Sequence, residues 1–243
     1  MLVKTSSLVV AAVVLLLAAP TAAHGAPAYA VTFRTADGVQ IAGTVYQPSR
    51  RPAPYVILVH MLGRSRDDWQ VLATRLADAG IGALAIDLRG HGGSGAGPQG
   101  DAERPGDLSP ALLDVQAART FLAARAELGV THVGVCGAQV GANLAILAAA
   151  ADSTIRSLAL LSPGLDFRGL RIEAPYRKCV DRPSLMVAST EDSYPVRTIR
   201  RLDRGVPGTR EIHVLNGAGH GTVMLARQPD LVATIVEWFQ RTL

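Results

Sequence analysis

Short apolar segments alternate with longer amphipathic segments along most of the chain. The short segments are rich in Val, Ile and Leu and are bounded by Gly, Pro, Asp or Ser, which predicts β-strands. The longer segments repeat apolar residues at helical spacing. The predicted strands are YAVTFRT (29–35), VQIAGTVY (39–46), PYVILVH (54–60), IGALAIDL (81–88), THVGVCG (131–137), LALLSP (158–163), PSLMVAS (183–189) and EIHVLNG (211–217). The predicted helices cover 67–80, 108–127, 140–152, 197–205 and 222–243.

The order of these elements predicts an α/β protein with a mostly parallel eight-stranded sheet and helices on both faces. Asp37-Gly38 lies between the first two strands and is typical of a hairpin, so the sheet should have one antiparallel edge. In such sheets, binding and catalytic sites form beyond the carboxyl ends of the strands. The residues directly after each apolar segment are therefore the candidates for function.

The N-terminus has the three-part layout of a secretory signal peptide. Lys4 precedes an uncharged apolar run over 8–19, and small residues follow Pro20. We predict a signal peptide over residues 1–25 and export to the periplasm or the outside. Cleavage is compatible with three positions, after Ala23, Gly25 or Ala30.

The apolar run is shorter than the ~20 residues of a membrane span, so no stable membrane insertion is expected after cleavage. An uncleaved membrane anchor is the alternative. The remainder, residues 26–243, has the size of one domain.

The formal net charge is +4, and almost all of the positive charge is carried by scattered arginines. Their densest group, 197–205, includes Asp203 and is interpreted as a solvated helix face, so no nucleic-acid partner is expected.

Export would permit a disulfide between Cys136 and Cys179 without requiring one. No Cys/His grouping has metal-ligand spacing, and we expect neither a metal nor a cofactor.

The loops after five of the predicted strands carry polar or glycine-rich sequences: HMLGR (60–64), RGHG (89–92), AQVG (138–141), ED (191–192) and AGHG (218–221). The chain resembles the α/β-hydrolase superfamily in three features. They are the order of these loops, the DLRGHG run at 87–92 and a G-x-(nucleophile)-x-G frame at 137–141. The similarity is to its small single-domain esterase and dienelactone-hydrolase-like branch, and it covers nearly the whole mature chain.

The resemblance implies a catalytic triad in the chain order nucleophile, acid, base. Its three positions correspond to Gln139, Asp192 and His220. Two other carboxylates compete for the acid position: Glu191, next to Asp192, and Asp166, after the LALLSP strand. Gln139 departs from the family pattern, in which this position is serine.

The family's oxyanion hole uses the backbone N–H after the nucleophile and a second N–H from the loop after the third strand. The first corresponds to Val140 and the second to Leu62 or, one residue earlier, Met61. His60 is interpreted as a structural residue that braces this loop.

A glutamine amide is not a nucleophile, whereas covalent acyl transfer requires an activated hydroxyl, thiol or carboxylate. The Gln139 side chain is long enough to reach His220 or to fill the oxyanion site. Cys136 would serve as nucleophile only in a shifted turn that places Gly137 and Gly141 inside a helix. Each glycine would then destabilise the helix by ~1 kcal/mol relative to alanine. Ser65 lacks any such frame.

Only residues 164–183 separate LALLSP from PSLMVAS, where the family's lids are usually inserted, so no sizeable lid is expected. Two hypotheses follow. The first is a pseudo-hydrolase that binds a small ester-like ligand or a partner. The second is an active hydrolase on small esters or lactones that uses Cys136, or water activated by His220 and Asp192. The oligomeric state is left open.

Overall fold

The computed structural model describes residues 27–96, 106–204 and 207–243. The predicted signal peptide, 1–25, and the end of the glycine-rich loop, 97–100, lie outside the described residues. Among the described helices, none is long and apolar enough to cross a bilayer.

The large sheet has eight strands, as predicted. In chain order the strands are β1 (Ala28–Arg34), β2 (Gln40–Tyr46), β3 (Ala53–Val59), β4 (Gly82–Ile86), β5 (Val130–Ala138), β6 (Ile155–Leu161), β7 (Asp166–Phe167), β8 (Leu170–Arg171), β9 (Ser184–Ser189) and β10 (Arg210–Leu215). All except β7 and β8 belong to this sheet, in the order β1-β2-β4-β3-β5-β6-β9-β10. Its β1–β2 and β2–β4 pairs are antiparallel, and the other pairs are parallel.

Helices cover both faces of the sheet, which confirms the predicted α/β-hydrolase fold. They are α1 (Gln70–Asp78), α2 (Leu112–Ala124), α3 (Val140–Ala151), α4 (Glu173–Lys178), α5 (Ser193–Asp203), α6 (Val223–Arg227) and α7 (Asp230–Thr242). Buried residues of α2, α3 and α5 pack against one face, and those of α1 and α7 against the other. These two apolar layers enclose the central strands, and β3, β4 and β5 are buried over most of their length.

The C-terminal segment 222–243 was predicted as one helix, and that prediction is wrong. It forms α6 and α7, which are separated at Gln228 and Pro229. Proline disfavours helical backbone at the preceding residue, and Gln228 has an extended φ of −130° and ψ of 81°.

The segment between β6 and β9 contains the two-stranded β7–β8 ribbon and the short helix α4. No larger insertion lies there, so the carboxyl edge of the sheet has no sizeable lid among the described residues. The loops after β3, β5, β6, β9 and β10 meet at this edge, because these strands are parallel.

Candidate active site

Gln139 occupies a strained turn between β5 and α3. Its φ of 51° and ψ of −111° lie in a region that residues other than glycine rarely adopt. Such backbone persists only where the surrounding structure enforces it, and it is concentrated at functional sites. The backbone therefore retains the sharp strand-to-helix geometry that presents a nucleophile in this fold.

The two glycines that flank this turn are required by close backbone packing. A Cβ atom on Gly137 would overlap the carbonyl oxygen of Gly141. A Cβ atom on Gly141 would overlap the carbonyl oxygen of Val59 at the end of β3. The glycine frame is thus a physical condition for α3 to begin where it does.

The side chain of Gln139 is bound to the loop after β3. The backbone N–H of Leu62 donates a hydrogen bond to Oε1 of Gln139, with an N···O distance of 3.2 Å. The donor identifies the oxygen end of the amide, because an NH₂ group could not accept this bond. A carbonyl oxygen of the protein itself therefore occupies one of the two predicted oxyanion-hole donors.

The second predicted donor, the N–H of Val140, belongs to the first residue of α3. An N–H at this position has no acceptor within its own helix, which makes it suitable for an anion or a carbonyl oxygen. Leu62 thus contacts the side chain of Gln139, and Val140 follows Gln139 directly in the chain.

His220 and Asp192 are brought together by the loops after β10 and β9. Nδ1 of His220 is hydrogen-bonded to Oδ2 of Asp192. A carboxylate can only accept, so Nδ1 donates this hydrogen bond. Nε2 has no accessible surface and no hydrogen-bond partner in the protein. A carboxylate bound to Nδ1 orients the ring as in the acid–base pair of a catalytic triad.

Glu191, the neighbouring rival for the acid position, has a different set of partners. It accepts hydrogen bonds from the backbone N–H groups of Gly217 (3.2 Å) and Gly219 (3.0 Å). The Ser189 hydroxyl, together with the N–H groups of Glu191 itself and Gly219, lowers the pKa of Glu191 to about 2. Glu191 therefore anchors the His220 loop as a charged acceptor.

Two buried serines complete this support. Oγ of Ser189 accepts from the N–H of Ala218 at 2.9 Å, and Oγ of Ser162 accepts from the N–H of Gly221 at 3.0 Å. Ser162 follows β6 directly and has a φ of 49°. Sequence reasoning did not single out either residue, although both lie at the carboxyl ends of strands.

The other rival, Asp166, is engaged elsewhere. Its carboxylate accepts from Nε of Arg171 and from the N–H of Gly169, both at 3.0 Å, within the β7–β8 ribbon.

His60 is buried and braces the loop that carries Leu62. Its Nε2 accepts from the N–H of Leu88 at 2.9 Å, and its Nδ1 therefore donates to the carbonyl of Met61 at 2.8 Å. Burial lowers the pKa of His60, which favours the neutral ring that this pattern requires. Of the two candidates in this loop, Leu62 is the residue whose N–H faces the turn.

The alternative nucleophiles are poorly placed. Cys136 lies within β5 and is fully buried, and burial raises the pKa of its thiol. Ser65 accepts from the N–H of Asp67 and begins the short helix Arg66–Trp69. Cys136 and Cys179 are both free.

A cleft of about 730 Å³ opens beside the turn. Leu62 and Val140 belong to its wall, and most of the remaining lining residues come from the loop after β4 and from the start of α2. Across the described residues, no group of three or more His, Cys, Asp or Glu side chains is arranged to hold a metal ion.

The fold and the arrangement at its carboxyl edge define an α/β hydrolase. The family profile described as serine aminopeptidase, S33, matches residues 50–184, and the chain belongs to this family. The matched region includes the turn at Gln139 and the loop at Leu62, and it ends before Asp192 and His220.

Among characterised sequences, the chain is similar to a polyketide transferase of Stachybotrys chlorohalonatus. The two are 27% identical over 138 residues, which is 56% of this chain and 45% of the transferase. The match thus spans less than half of that relative.

Solved structures extend the similarity in fold. A dienelactone hydrolase from Anabaena variabilis has a TM-score of 0.74 at 19% identity, covering 90% of this chain and 100% of that one. An esterase of Pyrococcus furiosus has a TM-score of 0.69 at 17% identity, covering 89% and 91%. Est1E of Butyrivibrio proteoclasticus with bound ferulic acid has a TM-score of 0.71 at 18% identity, covering 86% and 98%.

Proposed function

We propose that this chain is an exported α/β-hydrolase-family protein that is deficient in serine-type ester hydrolysis and acts by binding a small ligand or a partner. The observation that carries the proposal is the hydrogen bond from the Leu62 N–H to the Gln139 side-chain oxygen. One residue thereby replaces the attacking hydroxyl with an inert amide and occupies a donor that would stabilise the oxyanion.

The expected loss of rate is large. Removing one oxyanion-hole donor costs roughly 10²–10³ in kcat. Removing the nucleophile of a triad leaves a rate only about 10³–10⁴-fold above that of the uncatalysed reaction. This residual enhancement depends on the oxyanion hole and on substrate binding. Since Gln139 affects both parts, the rate on esters should approach the uncatalysed rate.

The Asp192–His220 pair supports a role for the site in binding. Its loop is held by Glu191, Ser189 and Ser162, so the geometry is maintained by side chains that have no part in acyl transfer. The cleft beside Leu62 and Val140 has a volume in the range of small-molecule sites. Dienelactone and ferulic acid appear in the names of two fold neighbours, and a small ester- or lactone-like ligand is the corresponding proposal here.

An active hydrolase would need another nucleophile. A water activated by His220 would still require the oxyanion donors, one of which is bound to Gln139. Cys136 is buried inside β5 with little thiolate. These observations favour the pseudo-hydrolase.

Turnover assays on the unmodified protein test the proposal. Short acyl esters and small lactones should be hydrolysed no faster than in a matched His220→Ala variant, with or without a thiol-blocking reagent. Turnover that depends on His220, or that the reagent abolishes, would contradict the proposal and would identify the water or the thiol mechanism respectively.

A further inference from the structure

We propose that the chain forms a symmetric dimer in which β10 pairs with β10 of a second copy, antiparallel and with Ile212 on the two-fold axis. The large sheet would then continue from one copy into the other. The proposal concerns the edge of the sheet and not the turn at Gln139, so it is independent of the proposed function.

β10 is the last strand of the large sheet, and β9 is its neighbour among the described strands. The carbonyl oxygens of Thr209 and Leu215 accept hydrogen bonds from backbone N–H groups on the β9 side. Successive residues of a strand turn their backbone groups to alternate sides, so those of Ile212 and Val214 point away from β9. Such outward donors and acceptors on an edge strand form a template for another strand.

The outer edge of β10 is also partly apolar. The side chains of Ile212 and Val214 are 38% and 37% exposed, and they are two of the five large apolar side chains that are this exposed among the described residues. Placing Ile212 directly opposite its own copy removes part of this apolar surface from water. The contact uses the same strand on both copies, so it closes as a dimer and does not propagate.

Glu211 and His213 are complementary across this axis. Within one chain, Nε2 of His213 lies 3.6 Å from Oε2 of Glu211, and Arg241 of α7 contacts Oε1 of that carboxylate at 2.8 Å. With Ile212 on the axis, Glu211 of each copy lies directly opposite His213 of the other. Directly opposite Cβ atoms are ~4.5–5.5 Å apart, closer than the ~7 Å between alternate residues of one strand. Two imidazole–carboxylate pairs therefore form across the interface.

The same two side chains disfavour the neighbouring registers. An axis at Glu211 would place the two Glu211 carboxylates directly opposite each other, and an axis at His213 would do the same to the two imidazoles. Like charges directly opposite are destabilising. An axis between two residues would set outward backbone groups against inward ones and lose the ladder of hydrogen bonds. Charged residues on an edge strand usually prevent pairing, whereas here they leave one register in which the charges agree.

Disulfide trapping tests the position of the axis. Ile212→Cys would bring two thiols together at a Cα–Cα separation of ~5.5 Å, which is within the range of a disulfide. Val214→Cys is the matched control, because Val214 is equally exposed but its two copies would be ~14 Å apart. The natural cysteines are both buried. Oxidised Ile212→Cys should form a covalent dimer in much higher yield than Val214→Cys. Equal yields, or no dimer of Ile212→Cys, would overturn the proposal.

Sedimentation velocity over a broad range of protein concentration tests the charge pairing. The unmodified chain should dimerise as its concentration rises. His213→Glu would place acids opposite acids, and the double variant Glu211→Lys, His213→Lys would place lysines opposite lysines. Each variant alone should self-associate at least about tenfold more weakly.

An equimolar mixture of these two variants should restore the dimer, because every acid then faces a lysine. Recovery in the mixture also shows that neither variant has lost its fold. An unmodified chain that stays monomeric, variants that associate as well as it does, or a mixture that stays monomeric while both variants keep the Tm of the unmodified chain would each overturn the proposal.

Discussion

The side-chain oxygen of Gln139 lies 3.2 Å from the backbone nitrogen of Leu62 and accepts its hydrogen bond. The protein thus places its own amide carbonyl against a donor that hydrolases of this fold present to the substrate carbonyl. The inert side chain and the occupied donor are consequences of one residue. We therefore expect a substitution at Gln139 alone to change both.

The glycine frame should tolerate no side chain. In Gly141→Ala the new Cβ would overlap the carbonyl oxygen of Val59 and lie 2.8 Å from that of His60. We expect a loss of about 1–3 kcal/mol in the free energy of unfolding, or no folded protein. Gly95→Ala is the matched control, because its Cβ would meet nothing closer than 3.6 Å. Equal stability of the two variants in urea unfolding would refute the steric argument.

Glu191 should stabilise the fold through its charge. Its pKa is lowered to about 2 from its usual value of 4.5, so its contribution is present above pH 4.5 and is lost as the pH falls towards 2. Glu191→Gln should therefore have a lower Tm than the unmodified protein at pH 7, and the two should converge as the pH approaches 2.

The exposed Glu237 supplies the control for this comparison, since Glu237→Gln should leave Tm nearly unchanged. A constant Tm difference between the unmodified protein and Glu191→Gln at every pH would show that the anchoring does not depend on charge.

Both cysteines should be unreactive in the folded protein. Burial raises the pKa of the Cys136 thiol, and it raises that of Cys179 to about 11. Since the thiolate is the reactive form, iodoacetamide should modify either residue readily only after unfolding. Rapid labelling of Cys136 in the native protein, accompanied by loss of hydrolysis, would restore the thiol mechanism.

The proposed export can be read from the N-terminus of the protein. Protein recovered from the periplasm or the medium should begin between residues 24 and 31, as measured by intact mass. Full-length chain beginning at Met1 in that fraction would exclude cleavage at the predicted positions.

Much of the fold follows from patterns that are local in the sequence. The apolar runs that became β3, β4 and β5 are buried on both faces, so their hydrophobicity alone marks them as central strands. The break between α6 and α7 was missed because the apolar spacing continues past Pro229, where the backbone does not.

The site was predictable as a set of positions and not as a set of contacts. Glu191 and Asp192 are adjacent acids, and the backbone at the end of β9 decides which one reaches His220. The bond between Leu62 and Gln139 joins loops far apart in the chain and depends on the Gln139 side-chain conformation. Neither is encoded in a local pattern.

The most direct test is ester hydrolysis by Gln139→Ser, measured beside Gln139→Ala and the double variant Gln139→Ser, His220→Ala. Serine would supply the hydroxyl and release the Leu62 N–H together, whereas alanine would release the N–H alone. Because the members of a triad act as a unit, Gln139→Ser should hydrolyse short esters several orders of magnitude faster than the unmodified protein. The gain should be absent from Gln139→Ala and from the double variant. A Gln139→Ser protein that remains inert on short esters and lactones, or an unmodified protein that already hydrolyses them as fast, would contradict the account.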